Sequence, residues 1–187
     1  FSSPVTVGGK TLPAGTYGLH MIPTEKEWTV ALSNMATAWG SFSYDAKEDA
    51  TRFPAAVKPA DFQERLEYRF VDPTEDSVTA VLQWEKLQVS FPISVDTKAV
   101  VLQRLKSQMR GLPRFGWQGW NQAAQWTVRN EYALDQGLEW ADTSIGLQTT
   151  FGNRRTKAAI PEQEGDAKRA QARGAPDVKV ANETDLN

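Results

Sequence analysis

The chain has 187 residues, with 21 Lys+Arg against 23 Asp+Glu, a hydrophobic fraction of 40% and a formal net charge of -2. That length is enough to bury a core, and the balanced charge excludes a strongly basic nucleic-acid binder. With no Cys and a single His, the sequence excludes disulfides, thiolate chemistry and any site that needs two imidazoles.

Phe1–Val7 reads as the approach to a strand without a leader, so the chain is expected either to be processed or to have further residues upstream. Gly8-Gly9 reads as a hairpin turn because glycine takes positive φ freely, and Pro13-Ala14-Gly15 as a second turn. Period-two alternation predicts strands over Glu27–Ser33, Leu66–Val71, Ser77–Glu85 and Gln88–Val95. The apolar sets are Trp28, Val30 and Leu32; Leu66, Tyr68 and Phe70; Val78, Ala80, Leu82 and Trp84; and Val89, Phe91, Ile93 and Val95. One apolar face per strand suits antiparallel layers packed face to face, with Trp28 and Trp84 in the core. Pro92 has no N–H to donate, which sets the last strand at an edge or beside a bulge. Asp72–Asp76 is a polar turn between two strands.

The second half changes to helical spacing. Asp96 is placed to cap a helix over Lys98–Arg110 closed by Gly111, with Val101, Leu105, Met109 and Leu112 on one stripe. Further helices are predicted over Trp117–Arg129, Leu134–Leu147 and Thr150–Ile160. Trp117, Trp120, Ala124 and Val128 share a face of the second; Leu134, Leu138, Ala141 and Ile145 share a face of the third. Beyond Pro161 the apolar spacing fails, and the polar tail is expected to be extended and held by a partner. The predicted architecture is mainly β with an α extension. A jelly-roll-like antiparallel β-sandwich over 1–96 is followed by a small helical hairpin array over 97–160 and the tail over 161–187.

Candidate chemistry is sparse. His20 alternates with Leu19 and Met21, so it faces away from them; it reads as a general base or lone ligand on one view, and as an ordinary strand residue on the other. The acidic loops Asp45/Glu48/Asp49 and Asp72/Glu75/Asp76 carry oxygens but lack the spacing and glycine of a twelve-residue calcium loop. No nucleophile elbow, phosphate-binding glycine loop or zinc helix motif occurs. No catalytic residue, metal or cofactor is therefore expected.

Aromatics and charge are more informative. Trp39, Phe42 and Tyr44 lie in an irregular stretch and form a candidate binding patch for a sugar or a partner chain. Trp117, Trp120 and Trp140 are expected in the helical core; Trp126 falls off the stripe and is free to face the sandwich or a partner. Residues 1–96 hold 8 Lys+Arg and 13 Asp+Glu; residues 97–187 hold 13 and 10. From Thr97 to Asn130 there is no acid but six cations. Arg104, Lys106, Arg110, Arg114 and Arg129, with Trp126, thus make a candidate docking set for anionic lipid headgroups or an acidic protein, against the plainer reading of a solvated segment.

The run Gly9–Pro23, with Glu27-Trp28-Thr29-Val30, Trp39-Gly40-Ser41-Phe42-Ser43-Tyr44 and Leu82-Gln83-Trp84-Glu85-Lys86, resembles the family called domain of unknown function 2911. Gly116–Ala124 and Leu138–Asp142 match its usual helical extension, which looks like tetratricopeptide hairpins. The resemblance implies a secreted or periplasmic bacterial protein with a β-sandwich body, an N-terminal part of that sandwich before Phe1, and no assigned activity. Gly165–Ala170 resembles a turn into a further repeat helix, while Pro161 interrupts the regular spacing. The expected function is that of a non-catalytic extracytoplasmic binding or scaffold protein, an accessory subunit on a larger envelope or membrane complex. A carbohydrate-binding module and a hydrolase are the alternatives.

Overall fold

In the computed structural model, which describes residues 1–160, the alternating first half forms six strands. They are β1 (Val5–Val7), β2 (Lys10–Leu12), β3 (Gly18–Ile22), β4 (Glu27–Ser33), β5 (Asp49–Val71) and β6 (Ser77–Ser94). All pairings are antiparallel and the spatial order is β2-β1-β6-β5-β4-β3. Gly8 and Gly9, both at positive φ, close the β1–β2 hairpin. The sheet curls: the Gly8 turn on one flank lies against Phe53 of β5, although β1 and β6 intervene in the pairing order.

Curling lets one sheet enclose its own core. Val5, Val7 and Leu12 meet Val30 and Leu32 from the opposite flank, with Ala50 and Ala55 of β5 and Val89 and Phe91 of β6 between them. The expected mainly β architecture with a helical C-terminal part is what forms, its layers being the two flanks of a single curled sheet. Pro92 falls between the last β5 partner, Val89, and the first β1 partner, Ile93, so its missing N–H breaks no ladder bond.

Two sequence expectations fail in this unit. Leu66, Tyr68 and Phe70 alternate as read, but their face is exposed, Phe70 by 71%. Trp84 is 45% exposed rather than core, its indole N–H donating to the Glu64 carbonyl. The reason is positional. Beyond Pro59, β5 pairs only with β6, and before Ile93, β6 pairs only with β5. The distal part of this long hairpin is a two-stranded ribbon, bulged at Pro59/Gln63 and Gln63/Glu67, and nothing among the described residues pairs with its outer edges.

The chain divides into two compact units, Phe1–Thr97 and the part from Lys98 onward. The helices are α1 (Thr97–Gln108), α2 (Trp117–Asn130), α3 (Leu134–Leu147) and α4 (Phe151–Ala158), with a 3-10 turn at Leu112–Phe115. Met109, Ala123, Ala124, Trp140, Ala141 and Ile160 form the core, flanked by Leu102, Leu105, Trp120, Val128, Leu134 and Leu138. Thr150 and Asn153 make a capping box at α4. Asn153, fully buried, also donates to Ser144 Oγ at 3.1 Å, and Ser144 donates in turn to the Trp117 carbonyl at 2.8 Å. One polar chain thus ties α4 to α3 and α3 to α2, satisfying groups that would be costly to bury alone.

Leu112 corrects the first helical stripe. The helix stops before Gly111, and Leu112 restarts the chain in the 3-10 turn with its side chain 86% exposed. Trp126, which the spacing left to face the sandwich or a partner, is half-buried with its ring edge-on to Tyr132 at 6.2 Å. The expected extended tail over 161–187 lies outside the described residues.

Candidate functional site

The first candidate site is built on β3 and the segment that follows β4. Asn34 donates its backbone N–H (2.8 Å) and its side-chain amide (3.1 Å) to the Glu48 carbonyl, pinching the chain so that residues 35–47 leave the sheet as one loop. Gly18 lets that loop descend: a Cβ there would stand 2.6 Å from the Met35 carbonyl oxygen. The loop thereby comes down beside His20, the residue of β3 paired with Ala31.

At this contact His20 Nδ1 and Ser41 Oγ share a hydrogen bond of 2.9 Å, and the imidazole lies 4.6 Å from the Tyr44 ring. Behind them Tyr44 donates its hydroxyl to Asp49 Oδ2 (2.7 Å), which also accepts from Arg52 Nε (2.8 Å). Arg52 also donates to the Tyr44 hydroxyl and stands over its ring. Loss of water raises the Tyr44 phenol above its ordinary range, and the Asp49 carboxylate that accepts its proton adds to the rise. Asp49 is almost wholly buried, and its other oxygen has no partner among the described residues. Asp45, from the same acidic loop, caps the short 3-10 turn Ala46–Glu48. Both carboxylates are thus engaged in local structure.

Above this polar cluster Trp39 and Phe42 stand in solvent, 87% and 86% exposed, with ring centroids 5.4 Å apart and planes within 16°. The loop brings Trp39, Phe42 and Tyr44 together as the sequence suggested, but in two layers: Trp39 and Phe42 stack outside while Tyr44 is half-buried beneath. The Ser41–His20 pair was not legible, because residues 21 positions apart meet only through the loop's return. A hydroxyl beside an imidazole has the geometry of a nucleophile and its base. Among the described residues no carboxylate is bonded to the imidazole to orient it; nearby Asp49 bonds to Tyr44 and Arg52. What the arrangement offers is a flat aromatic platform edged by hydrogen-bonding groups. No group of three or more His, Asp or Glu side chains among the described residues is placed to hold a metal ion. In the other acidic loop, Thr74 and Ser77 organise the turn through their own hydrogen bonds.

The second candidate is the β5–β6 ribbon. Phe62, Leu66, Tyr68, Phe70 and Trp84 are all exposed along it, an apolar population that a solvated hairpin does not need. Tyr68 lies opposite Leu82 and Phe70 opposite Ala80. This face runs into an apolar cleft of about 390 Å³ lined in part by Tyr17, Leu19, Leu32 and Phe91. Burial there lifts the Tyr68 phenol above its usual value. Free edges and exposed apolar side chains coincide on the same ribbon, and strand alternation alone does not reveal such a site.

The candidate docking cations Arg104, Lys106, Arg110, Arg114 and Arg129 are all exposed. They do not converge on one patch: Arg129 sits in the last turn of α2, roughly 18 Å of helical rise from Trp117. Lys106, Arg110 and Arg114 instead lead into and through the 3-10 turn. No helix among the described residues is long and apolar enough to cross a membrane.

Residues 1–93 match the family model described as protein of unknown function, DUF2911. This supports the family read from the motifs of the first half. Neither a curated protein nor a solved structure matches the chain.

Proposed function

We propose that this chain, whose first 93 residues match a family without an assigned activity, is a non-catalytic binding and scaffold protein. It docks on a larger assembly as an accessory subunit. The observation that carries this reading is the β5–β6 ribbon, where two strand edges without a pairing strand among the described residues coincide with exposed Phe62, Leu66, Tyr68, Phe70 and Trp84. An unpaired edge supplies backbone donors and acceptors in register for an added strand, and the aromatics supply anchoring area. The occupant is an extended segment of a partner protein. An extracytoplasmic, periplasmic or secreted setting in a bacterial envelope is carried over from the family resemblance. The packing of α2 on α3 and α3 on α4 supports reading the helical arm as a tetratricopeptide-like scaffold.

The test is affinity isolation of the full chain from the envelope fraction, beside a Phe62→Glu, Phe70→Glu variant. Both positions are exposed, so the variant is expected to melt with the parent. Each large apolar side chain buried at an interface contributes about 1.5–3 kcal/mol, so losing two should lower retention of the partner by at least about a hundredfold. A partner held equally by parent and variant, or a parent chain that elutes as a lone monomer, would refute the reading.

A second reading rests on Trp39 and Phe42. Two nearly coplanar exposed rings beside Ser41 and His20 fit the apolar face and hydroxyl edge of a sugar. Calorimetric titration with envelope glycans should then show binding that Trp39→Ala weakens by roughly tenfold or more. Glycan binding that survives Trp39→Ala eliminates this version.

A further inference from the structure

We propose that the 3-10 turn Leu112–Phe115, with the cations around it, is a wedge that docks the helical unit on an anionic phospholipid surface. The inference is independent of the β5–β6 ribbon and involves other residues.

Leu112 and Phe115 are 86% and 76% exposed. A 3-10 turn repeats every three residues, so side chains at i and i+3 stand on one side of it. The two largest apolar side chains of the turn therefore project together. The turn is also held firmly. The Trp120 indole donates to the Arg114 carbonyl at 2.9 Å, and the Arg114 and Gly116 N–H groups close back on Gly111 and Pro113. Gly119 of α2 allows the turn to settle on the helix: a Cβ there would lie 2.7 Å from the Pro113 carbonyl oxygen. Pro113 fixes one more backbone angle. The fold thus uses an indole hydrogen bond, a glycine and a proline to keep two apolar side chains in solvent, which folding alone does not explain.

The charge around the wedge indicates what meets it. Lys106, Arg110 and Arg114 are exposed and form no ion pair among the described residues, and no acid occurs between Thr97 and Asn130. The Arg114 guanidinium lies over the Phe115 ring at 5.6 Å, so charge and apolar surface are presented as one unit. An exposed apolar pair with Arg114 in contact, and with Lys106 and Arg110 leading into the same turn, matches the boundary between headgroups and acyl chains. The cations remain at the phosphates while Leu112 and Phe115 enter the apolar layer. An acidic protein would satisfy the cations but gives no reason for a protruding apolar pair.

Co-sedimentation of the full chain with vesicles tests this. Partitioning onto mixed phosphatidylglycerol and phosphatidylcholine vesicles is expected, falling as salt is raised, with at least tenfold less on phosphatidylcholine alone. Arg110→Gln with Arg114→Gln should weaken partitioning by about twenty-five-fold, roughly fivefold for each cation. Leu112→Ser with Phe115→Ser should weaken it by about tenfold or more. All four positions are exposed, and circular dichroism checks that the helices persist. Absence of binding to the anionic vesicles, equal binding to both compositions, or binding indifferent to the Leu112/Phe115 change overturns the proposal. So does capture on immobilised polyglutamate that matches vesicle binding and survives that change, which would assign the surface to an acidic protein.

Discussion

Replacing Gly137 by alanine is expected to destabilise the helical unit, whereas the same replacement at Gly146, nine residues along in the same helix, is expected to stabilise it. Both glycines lie in α3, where alanine is intrinsically better by about 1 kcal/mol. They differ in what a methyl group would meet. At Gly146 there is nothing within 4 Å. At Gly137 the new Cβ would stand 1.9 Å from Thr127 Oγ1 and 3.0 Å from Thr127 Cβ, so rotating the hydroxyl away relieves only part of the overlap. Thr127 is fully buried in α2 and donates to the Ala124 carbonyl at 2.8 Å, so it resists displacement. Overpacking of this kind costs about 1–3 kcal/mol, and a backbone contact that separates α2 from α3 lies at the upper end. Thermal melts followed by the helical signal should show Gly137→Ala lowering the midpoint and Gly146→Ala raising it by up to about 1 kcal/mol equivalent. Thr127→Ala should partly rescue Gly137→Ala, with a coupling of about 1–3 kcal/mol in the double-mutant cycle. Equal effects at the two glycines would mean that the close α2–α3 approach is absent in solution.

That contrast marks the limit of what the sequence discloses. Period-two alternation located β4 over Glu27–Ser33, and helical spacing located α3 over Leu134–Leu147, because each pattern reports a local backbone geometry. Neither pattern reports whether anything covers the face it identifies. Leu66, Tyr68 and Phe70 alternate as regularly as Trp28, Val30 and Leu32, yet only the second set packs on or in a core; of the first set, Tyr68 and Phe70 stand on the wall of the open cleft they share with Tyr17 and Leu19, and all three stay exposed. Leu112 continues the α1 spacing on paper; Gly111 ends that geometry, and the spacing carries no meaning beyond it. The Trp39–Tyr44 patch was legible as aromatics in an irregular stretch. Its ordering into an outer stacked pair and an inner Tyr44 follows from the Asn34–Glu48 pinch and the missing Cβ of Gly18, which are long-range facts. The same holds for Gly137: a glycine in a helical stretch is visible, while the threonine it accommodates lies on another helix.

Gly8 provides the corresponding test for the sheet, and there the expected result opposes turn preference. Gly8 and Gly9 occupy the two central positions of the β1–β2 hairpin at φ 59° and 77°. Asparagine tolerates this left-handed geometry and is favoured before glycine in two-residue hairpins, so Gly8→Asn is nearly neutral by local conformation. The curled sheet reverses the outcome. A Cβ at Gly8 would stand 2.0 Å from Phe53 Cδ1 and 2.5 Å from Cγ. Phe53 is not free to swing away, since it packs on the sheet core and meets Phe91 edge-on at 5.5 Å. Gly8→Asn should therefore destabilise the β unit by about 1–3 kcal/mol, while Gly9→Asn, with open space around its Cβ, should cost well under about 1 kcal/mol. The decisive variant is Phe53→Val combined with Gly8→Asn. Valine removes the ring atoms that collide and keeps a β-branched residue on the strand, so the asparagine should cost much less in that background than in the parent. Denaturant unfolding of the four chains measures the cycle. An asparagine penalty that is the same with phenylalanine and with valine at position 53 would mean that the hairpin turn does not reach β5, and the shared core of Val5, Val7, Val30 and Phe91 could not then be closed by curling.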